Sequence, residues 1–282
     1  MEKNMNAEKE KQEKYLKENI ERIKHKIIIL SGKGGVGKST IAVNLAYGLA
    51  ANGKKVGILD VDIHGPSIAK LLGIEGQLLR PNRPGDRPEP IKVNENLYAL
   101  TIATLLSSPD NPVIWRGPLK MKLIKQFLQD IEWPSLDYLI IDSPPGTGDE
   151  PLSAIQIIGQ LDGAIIVSTP QDLALLDARK TINFSKKLNV PVIGIVQNMS
   201  AFKCPHCGKL IDIFEGSGTE KAARDFGIEI LGKIPIDKKI VETGDQGEAY
   251  IRNYKDLESA KAMVKIVDRV IKKIAPHEAG SR

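Results

Sequence analysis

A three-layer α/β/α fold with a mainly parallel central sheet is what this sequence predicts, and three observations carry the prediction. Short apolar runs recur along the chain, at lengths that suit strands buried on both faces. Helical spacing of apolar residues fills most of the gaps between them, the pattern of a parallel sheet covered on both sides. A glycine-rich segment, GKGGVGKST (Gly32–Thr40), lies between the first apolar run and the first helical pattern. Open parallel sheets collect ligands at such strand ends.

The elements follow in order. Met1–Lys26 is polar and rich in Lys and Glu, with Leu16, Ile20 and Ile23 as a thin helical stripe. It reads as a surface helix or a partly disordered extension with no chemistry of its own, and residues 1–25 are set apart as a charged extension. Strands are expected at Ile27–Leu30, Val56–Leu59, Leu97–Ala103, Tyr138–Ile141, Ala164–Val167, Val192–Val196 and Glu229–Ile234. Ile41, Leu45 and Leu49 mark one helix, and Leu123, Phe127 and Ile131 another. RPNRPGDRPEP (Arg80–Pro90) is a loop inside the domain, by its prolines. A last helix, about Lys255–Ile274, sets Leu257, Ala260, Met263, Val264, Val267, Val270, Ile271 and Ile274 on one face opposite Lys and Arg. It is expected to pack on the core; a membrane-surface or DNA-contacting helix is the alternative. With no internal repeat and no domain boundary, residues 26–275 read as one domain and 276–282 as a flexible tail.

Composition narrows the function. Of 282 residues 41% are hydrophobic, enough for a proper core, and Lys+Arg 40 against Asp+Glu 35 gives a charge of +5. That excess is too diffuse to name nucleic acid as a partner. No apolar run approaches the ~18 residues of a membrane span, and the charged start does not resemble a signal peptide. A cytoplasmic location is therefore expected, where thiols stay reduced and a structural disulfide is disfavoured.

Gly32, Gly37, Lys38 and Ser39 fit G-x-x-x-x-G-K-[ST], which makes the fold a P-loop NTPase. Glycines let backbone N–H groups curl around phosphate oxygens, where a side chain would collide. The following helix adds its positive dipole end. Lys38 supplies charge to the outer phosphates, and the Ser39 hydroxyl suits Mg²⁺, with Thr40 beside it. A chance glycine turn would lack the strand before and the helix after. YLIIDSPPGTGD puts Asp142 at a strand end, where a carboxylate holds Mg²⁺ through water. GILDVDIHGPS puts Asp60 and Asp62 at another, and Asp62 suits orientation of the attacking water. Lone strand-end aspartates are often helix caps, but three matching strand ends favour one shared site. No Asn-Lys-x-Asp guanine reader occurs, so ATP is preferred over GTP. Lys33 is an extra charge in the loop. It reads either as a solvated lysine or as a charge reaching a nucleotide held by another copy of the chain, as an arginine finger does in trans.

KGGVGKS with Lys33 resembles the deviant Walker A motif of the MinD/ParA/nitrogenase-iron-protein class. Within that class DVDIHGPS, IWRGP (Ile114–Pro118), IIDSPPGTGD, STPQDLALLDARK (Ser168–Lys180) and QNMSAFKCPHCGK (Gln197–Lys209) together resemble the Mrp/ApbC family of iron–sulfur cluster carriers, over about Lys26–Asp237. The resemblance implies an ATP-dependent homodimer with slow hydrolysis. It implies that Gly34, Gly35, Val36, Gly37, Lys38, Ser39 and Thr40 cradle phosphates and that Lys33 contacts the partner's nucleotide. It also implies that Asp62 positions water, Asp142 supports Mg²⁺ and Asn198 touches the adenine. Met1–Lys26 has no cysteine cluster of the kind some eukaryotic relatives carry, so no second cluster is implied. His64 departs from the expected residue type and reads as a neutral loop residue; Arg116 receives no role.

Cys204 and Cys207, in Cys-Pro-His-Cys, are the only cysteines. Zinc and iron–sulfur centres want about four ligands, and this chain supplies two. Gly208 permits a tight exit, His206 is expected to point away, and GKLIDIF reads as an extended hairpin. Disulfide exchange of the thioredoxin kind fits poorly, because there the motif opens a helix after an early strand. A two-fold axis beside the loop would assemble four thiolates from two chains. Both [4Fe–4S] and Zn²⁺ accept that set; the resemblance favours the cluster, passed from scaffold donors to apoproteins. The rival readings are a positioning ATPase that binds DNA or membrane, and a targeting ATPase with structural zinc at its dimer interface.

Overall fold

The computed structural model describes residues 2–63, 65–81, 83, 86–105, 117–204, 206–214 and 216–275, with backbone alone for 2–9 and 117–120. His64, Arg116 with most of the IWRGP segment, Pro205 and the tail 276–282 lie outside them. Helix α1 (Glu2–Glu21) leads into β1 (Ile23–Leu30), the glycine loop and α2 (Lys38–Ala51). Then come β2 (Val56–Asp60), the short α3 (Ile68–Leu71), β3 (Ile91–Asn94) and β4 (Leu97–Leu100), and then α4 (Gly117–Gln129). The middle of the chain forms β5 (Leu136–Asp142), α5 (Asp149–Ile158), β6 (Gly163–Ser168), α6 (Leu173–Lys187) and β7 (Val192–Lys203). The last part is β8 (Leu210–Ile211), α7 (Gly218–Phe226), β9 (Ile230–Ile236), α8 (Lys238–Gln246), α9 (Tyr250–Asn253) and α10 (Glu258–Ile274).

One sheet runs β3-β4-β2-β5-β1-β6-β7-β8, and β9 also pairs with β7. All its pairings are parallel except β3–β4 and β7–β8. Along β1 the pleat sends Ile27 and Ile29 to one core, beneath α2 and α10, and Ile28 and Leu30 to the other, beneath α4 and α5. Helices α6 and α7 extend the second layer over β6 and β7 through Ala178, Ile182 and Ala222. Each aliphatic side chain so buried contributes about 1.5–3 kcal/mol.

The departures from the sequence reading have local causes. Leu97–Ala103 stops as a strand at Leu100, because the Thr101 hydroxyl accepts from Ala103 N–H and starts a 3₁₀ turn over Ile102–Thr104. β3 escaped notice: it is a half-buried edge strand without an apolar run. β7 runs past Val196 to Lys203 across an irregularity at Met199, whose φ is +55°. β1 starts at Ile23, within the segment read as extension. α1 is no loose appendage, since buried Asn19 donates to the carbonyls of Leu128 and Ile131 at 2.7 Å each and accepts from Trp133 N–H. In α10 Ala260, Met263, Val267, Val270 and Ile274 are buried, so its apolar face is taken up by the core and not left for a membrane. Val264 faces solvent instead, and Leu257 is the N-cap residue. On its basic face Arg269 donates to the carbonyls of Ile230 and Leu231, and Lys273 to that of Ile193. Among the described residues no helix is long and apolar enough to cross a membrane.

Candidate nucleotide and thiol sites

Three parallel strands deliver the polar residues to one place. β1 ends in the glycine loop, and Gly37, at φ +83°, turns the chain into α2 so that Lys38 opens the helix. A Cβ on Gly37 would collide with the Asn198 amide, and its left-handed φ independently favours glycine. Gly146 N–H donates to Ser31 O at 2.7 Å, tying the segment after β5 to the loop's entrance. Asp60 and Asp142 are Cα partners across β2 and β5, so both carboxylates arrive beside Lys38.

The electrostatics there are tight. Lys38 Nζ donates to Asp142 Oδ1 at 2.5 Å and lies 3.5 Å from Ser39 Oγ. Asp142 Oδ2 is buried with no hydrogen-bond partner. Burial pushes the Asp142 carboxyl upward, and the Lys38 ammonium opposes that. Asp60 is pushed up more strongly, by burial and then by the neighbouring Asp142 charge. Its oxygens accept from Asp62 N–H and from the Thr101 hydroxyl, both at 3.0 Å. Asp62 is partly exposed and accepts from Gly65 N–H at 3.2 Å.

A cleft of about 310 Å³ runs along Lys33–Thr40 and past Asp62 and Pro145. Through Gly37, Thr40, Ser67 and Leu71 it meets a second space of about 570 Å³, lined by Asn198, Met199 and Pro235–Asp237. Gly34, Gly35, Val36, Ser39 and Thr40 all line the first space. Asn198 lines the second, inside β7 and not at its end, and donates its amide to Val36 O at 2.9 Å. Lys33 Nζ donates to Gln171 Oε1 at 2.8 Å. The buried Asp142 Oδ2, with the Ser39 hydroxyl close to the same carboxylate, is an oxygen donor set that fits Mg²⁺.

The two cysteines sit on the ribbon between β7 and β8. Cys204 N–H donates to Lys209 O, and Gly208 N–H to Cys204 O, each at 2.9 Å. Gly208 has φ +71°, the left-handed turn the ribbon needs. Cys207 is exposed and Cys204 partly so, and both are free thiols. Hydrogen bonds from the Cys207 and His206 backbone, then from the Cys207 side chain, hold the Cys204 thiol below its ordinary value. Among the described residues no group of three or more His, Cys, Asp or Glu is placed to hold a metal, so the thiol pair has no third donor among them.

Comparison with known proteins decides the family. A family model described as ParA, NUBPL iron-transfer P-loop NTPase, matches residues 22–271.

The chain belongs to this NUBPL iron-transfer P-loop NTPase family.

It is similar to an iron-sulfur cluster carrier protein of Methanocaldococcus jannaschii, 49% identical over 266 residues, covering 93% of this chain and 89% of the relative. A protein of the same description from Pyrococcus horikoshii is 47% identical over 269 residues, covering 93% and 90%. Among solved structures, a nucleotide-binding protein of Archaeoglobus fulgidus in complex with ADP matches with TM-score 0.73 and 37% identity, over 87% of this chain and 98% of that one. The cell division ATPase MinD of Pyrococcus furiosus matches with TM-score 0.62 and 25% identity, over 88% and 98%. The family expected from the motifs is therefore the one found, and with it the P-loop NTPase fold and a cluster-carrying ATPase.

Sequence spacing gives no role to Gln171, which holds Lys33, to Thr101, which holds Asp60, or to Asp60 itself. Gln171 lay in plain view inside STPQDLALLDARK, but only the fold brings it to Lys33.

Proposed function

We propose that the protein is an ATP-hydrolysing iron–sulfur cluster carrier that works as a homodimer in the cytoplasm. Each protomer binds ATP on Gly34–Thr40. Two copies hold a [4Fe–4S] cluster between them through Cys204 and Cys207 of each, receive it from a scaffold and deliver it to apoproteins. The observation that carries this reading is a solvent-accessible thiol pair with no third donor among the described residues, in a chain that also carries a complete phosphate loop.

The residues take roles that follow from their chemistry. Phosphate oxygens compete with Asp142 for the Lys38 ammonium, and its transfer frees a carboxylate whose other oxygen already lacks a partner. Ser39 and Asp142 would then hold Mg²⁺, which supplies positive charge to the phosphates when bound. Partly exposed Asp62, on the rim of the cleft, orients the attacking water. Lys33 contributes charge to the partner's nucleotide, and Asn198 lies where the base is received. The lowered Cys204 thiol and its backbone donors favour the thiolate that a cluster requires.

Anaerobic reconstitution with iron, sulfide and zinc analysis tests the reading. About four irons and four sulfides per dimer are expected, on the four-thiolate stoichiometry of such clusters, and Cys204→Ala should remove them. Zinc without acid-labile sulfide would overturn the cluster assignment, and a monomer by sedimentation after loading with cluster and ATP would overturn the shared site.

A further inference from the structure

Both arms of the cysteine ribbon are tied to residues that touch the phosphate loop. The β7 arm carries Asn198, bonded to Val36 O, and reaches Cys204 six residues later across the irregular Met199. The β8 arm returns through Asp212–Phe214 to a seat on the segment between β6 and α6. Gly218 N–H donates to Pro170 O at 3.2 Å, Ser217 N–H to Asp172 Oδ1 at 3.2 Å, and the Thr219 hydroxyl to Thr169 O at 2.8 Å. The seat is close-packed: a Cβ on Gly216 would lie 2.8 Å from Pro170 O, and one on Gly218 2.5 Å from Gln171 O. Nothing there can yield without moving backbone. Gln171, in the middle of the seat, accepts the Lys33 ammonium.

From this arrangement, and resting on the carrier reading above, we infer that Gln171 is the positioning residue that couples the Lys33 ammonium to the cysteine ribbon. Lys33 has one flexible side chain and two acceptors in competition for it, the Gln171 carbonyl and the phosphates of a nucleotide. While Gln171 holds Lys33, the Thr169–Asp172 segment is pinned against the loop and the β8 arm against that segment. When phosphate takes Lys33, Gln171 is released, and the seat of Gly216–Gly218 shifts with it. Coupling of this kind is reciprocal, so whatever free energy the Lys33–Gln171 bond contributes is subtracted from nucleotide binding.

The test uses the full chain without cluster. Nucleotide affinity is titrated with a fluorescent ATP analogue, and the rate of alkylation of Cys204 and Cys207 by iodoacetamide is measured with and without Mg·ATP. In the wild type the rate should change by about fivefold or more on adding nucleotide, the lower range of ordinary couplings. Gln171→Ala should bind nucleotide about three- to tenfold tighter, the equivalent of losing one charge-assisted hydrogen bond in partly exposed surroundings. Its thiols should react at one rate with or without nucleotide. Gln171→Glu, which keeps the acceptor and adds charge, should weaken nucleotide binding and keep the response. A merely structural role would not make the alanine variant bind tighter. Wild-type thiols that ignore nucleotide, or a Gln171→Ala protein that responds like the wild type or binds no tighter, would overturn the coupling. Neither result touches the carrier reading, which stands or falls on iron, sulfide and oligomeric state in the reconstituted protein and on the loss of iron and sulfide in Cys204→Ala.

Discussion

The Lys38 ammonium lies 2.5 Å from Asp142 Oδ1, with both side chains almost entirely out of water. A buried pair of this kind is costly to break and cheap to replace. Lys38→Met should abolish nucleotide binding and also destabilise the fold by about 3–5 kcal/mol, because it strands the Asp142 carboxylate. The double change Lys38→Met/Asp142→Leu should recover most of that stability in urea unfolding while nucleotide binding stays absent. If the single variant unfolds like the wild type, the pair is not what balances Asp142.

Asp60 titrates against the fold. Burial, and then the Asp142 charge, raise its folded value above that of the unfolded chain. Below the unfolded value, near pH ~4, the group is protonated in both states and has no effect. As pH rises from there to the folded value, the unfolded chain ionises first and stability is lost. Asp60→Asn keeps an acceptor for Asp62 N–H and a group for the Thr101 hydroxyl, and removes the charge. Its melting temperature should therefore exceed the wild type's at neutral pH, with the gap closing towards pH ~4. A gap that is constant with pH would contradict this.

The cysteine ribbon turns on Gly208, at φ +71°. Gly208→Val places a β-branched side chain where left-handed backbone is strained by about 1–2 kcal/mol. Cluster occupancy after reconstitution should fall severalfold, while titration of nucleotide is unchanged, since Gly208 lines neither part of the cleft.

Asn19 joins α1 to the end of α4 through three backbone groups. Asn19→Ala leaves them unsatisfied in a buried place and should cost about 2–4 kcal/mol in denaturant unfolding. Nucleotide affinity should not change, because α1 lies on the opposite side of the sheet from the core under α2.

The sequence disclosed what is local or doubly buried. Ile27–Leu30 and Tyr138–Ile141 were legible because strands covered on both faces read as unbroken apolar runs. The phosphate loop was legible because its chemistry is packed into nine successive residues, Gly32–Thr40. Ile91–Asn94 was not, since an edge strand that turns only Ile91 and Val93 towards the core keeps no such run. The far half of β7 was hidden by Gln197–Lys203, a mostly polar stretch that becomes strand through its pairing with β8 and β9. Asn19 and Gln171 were beyond reach for another reason: their partners lie more than 100 residues away, and no spacing rule spans that distance.

The Arg269 guanidinium, bonded to the carbonyls of Ile230 and Leu231, has a consequence for solubility. An open strand at the margin of a sheet is a template on which a stray chain can stitch itself. At the Ile230–Leu231 end of β9 that margin presents a fixed cation and two acceptors already claimed, so an incoming strand finds fewer groups there to stitch to.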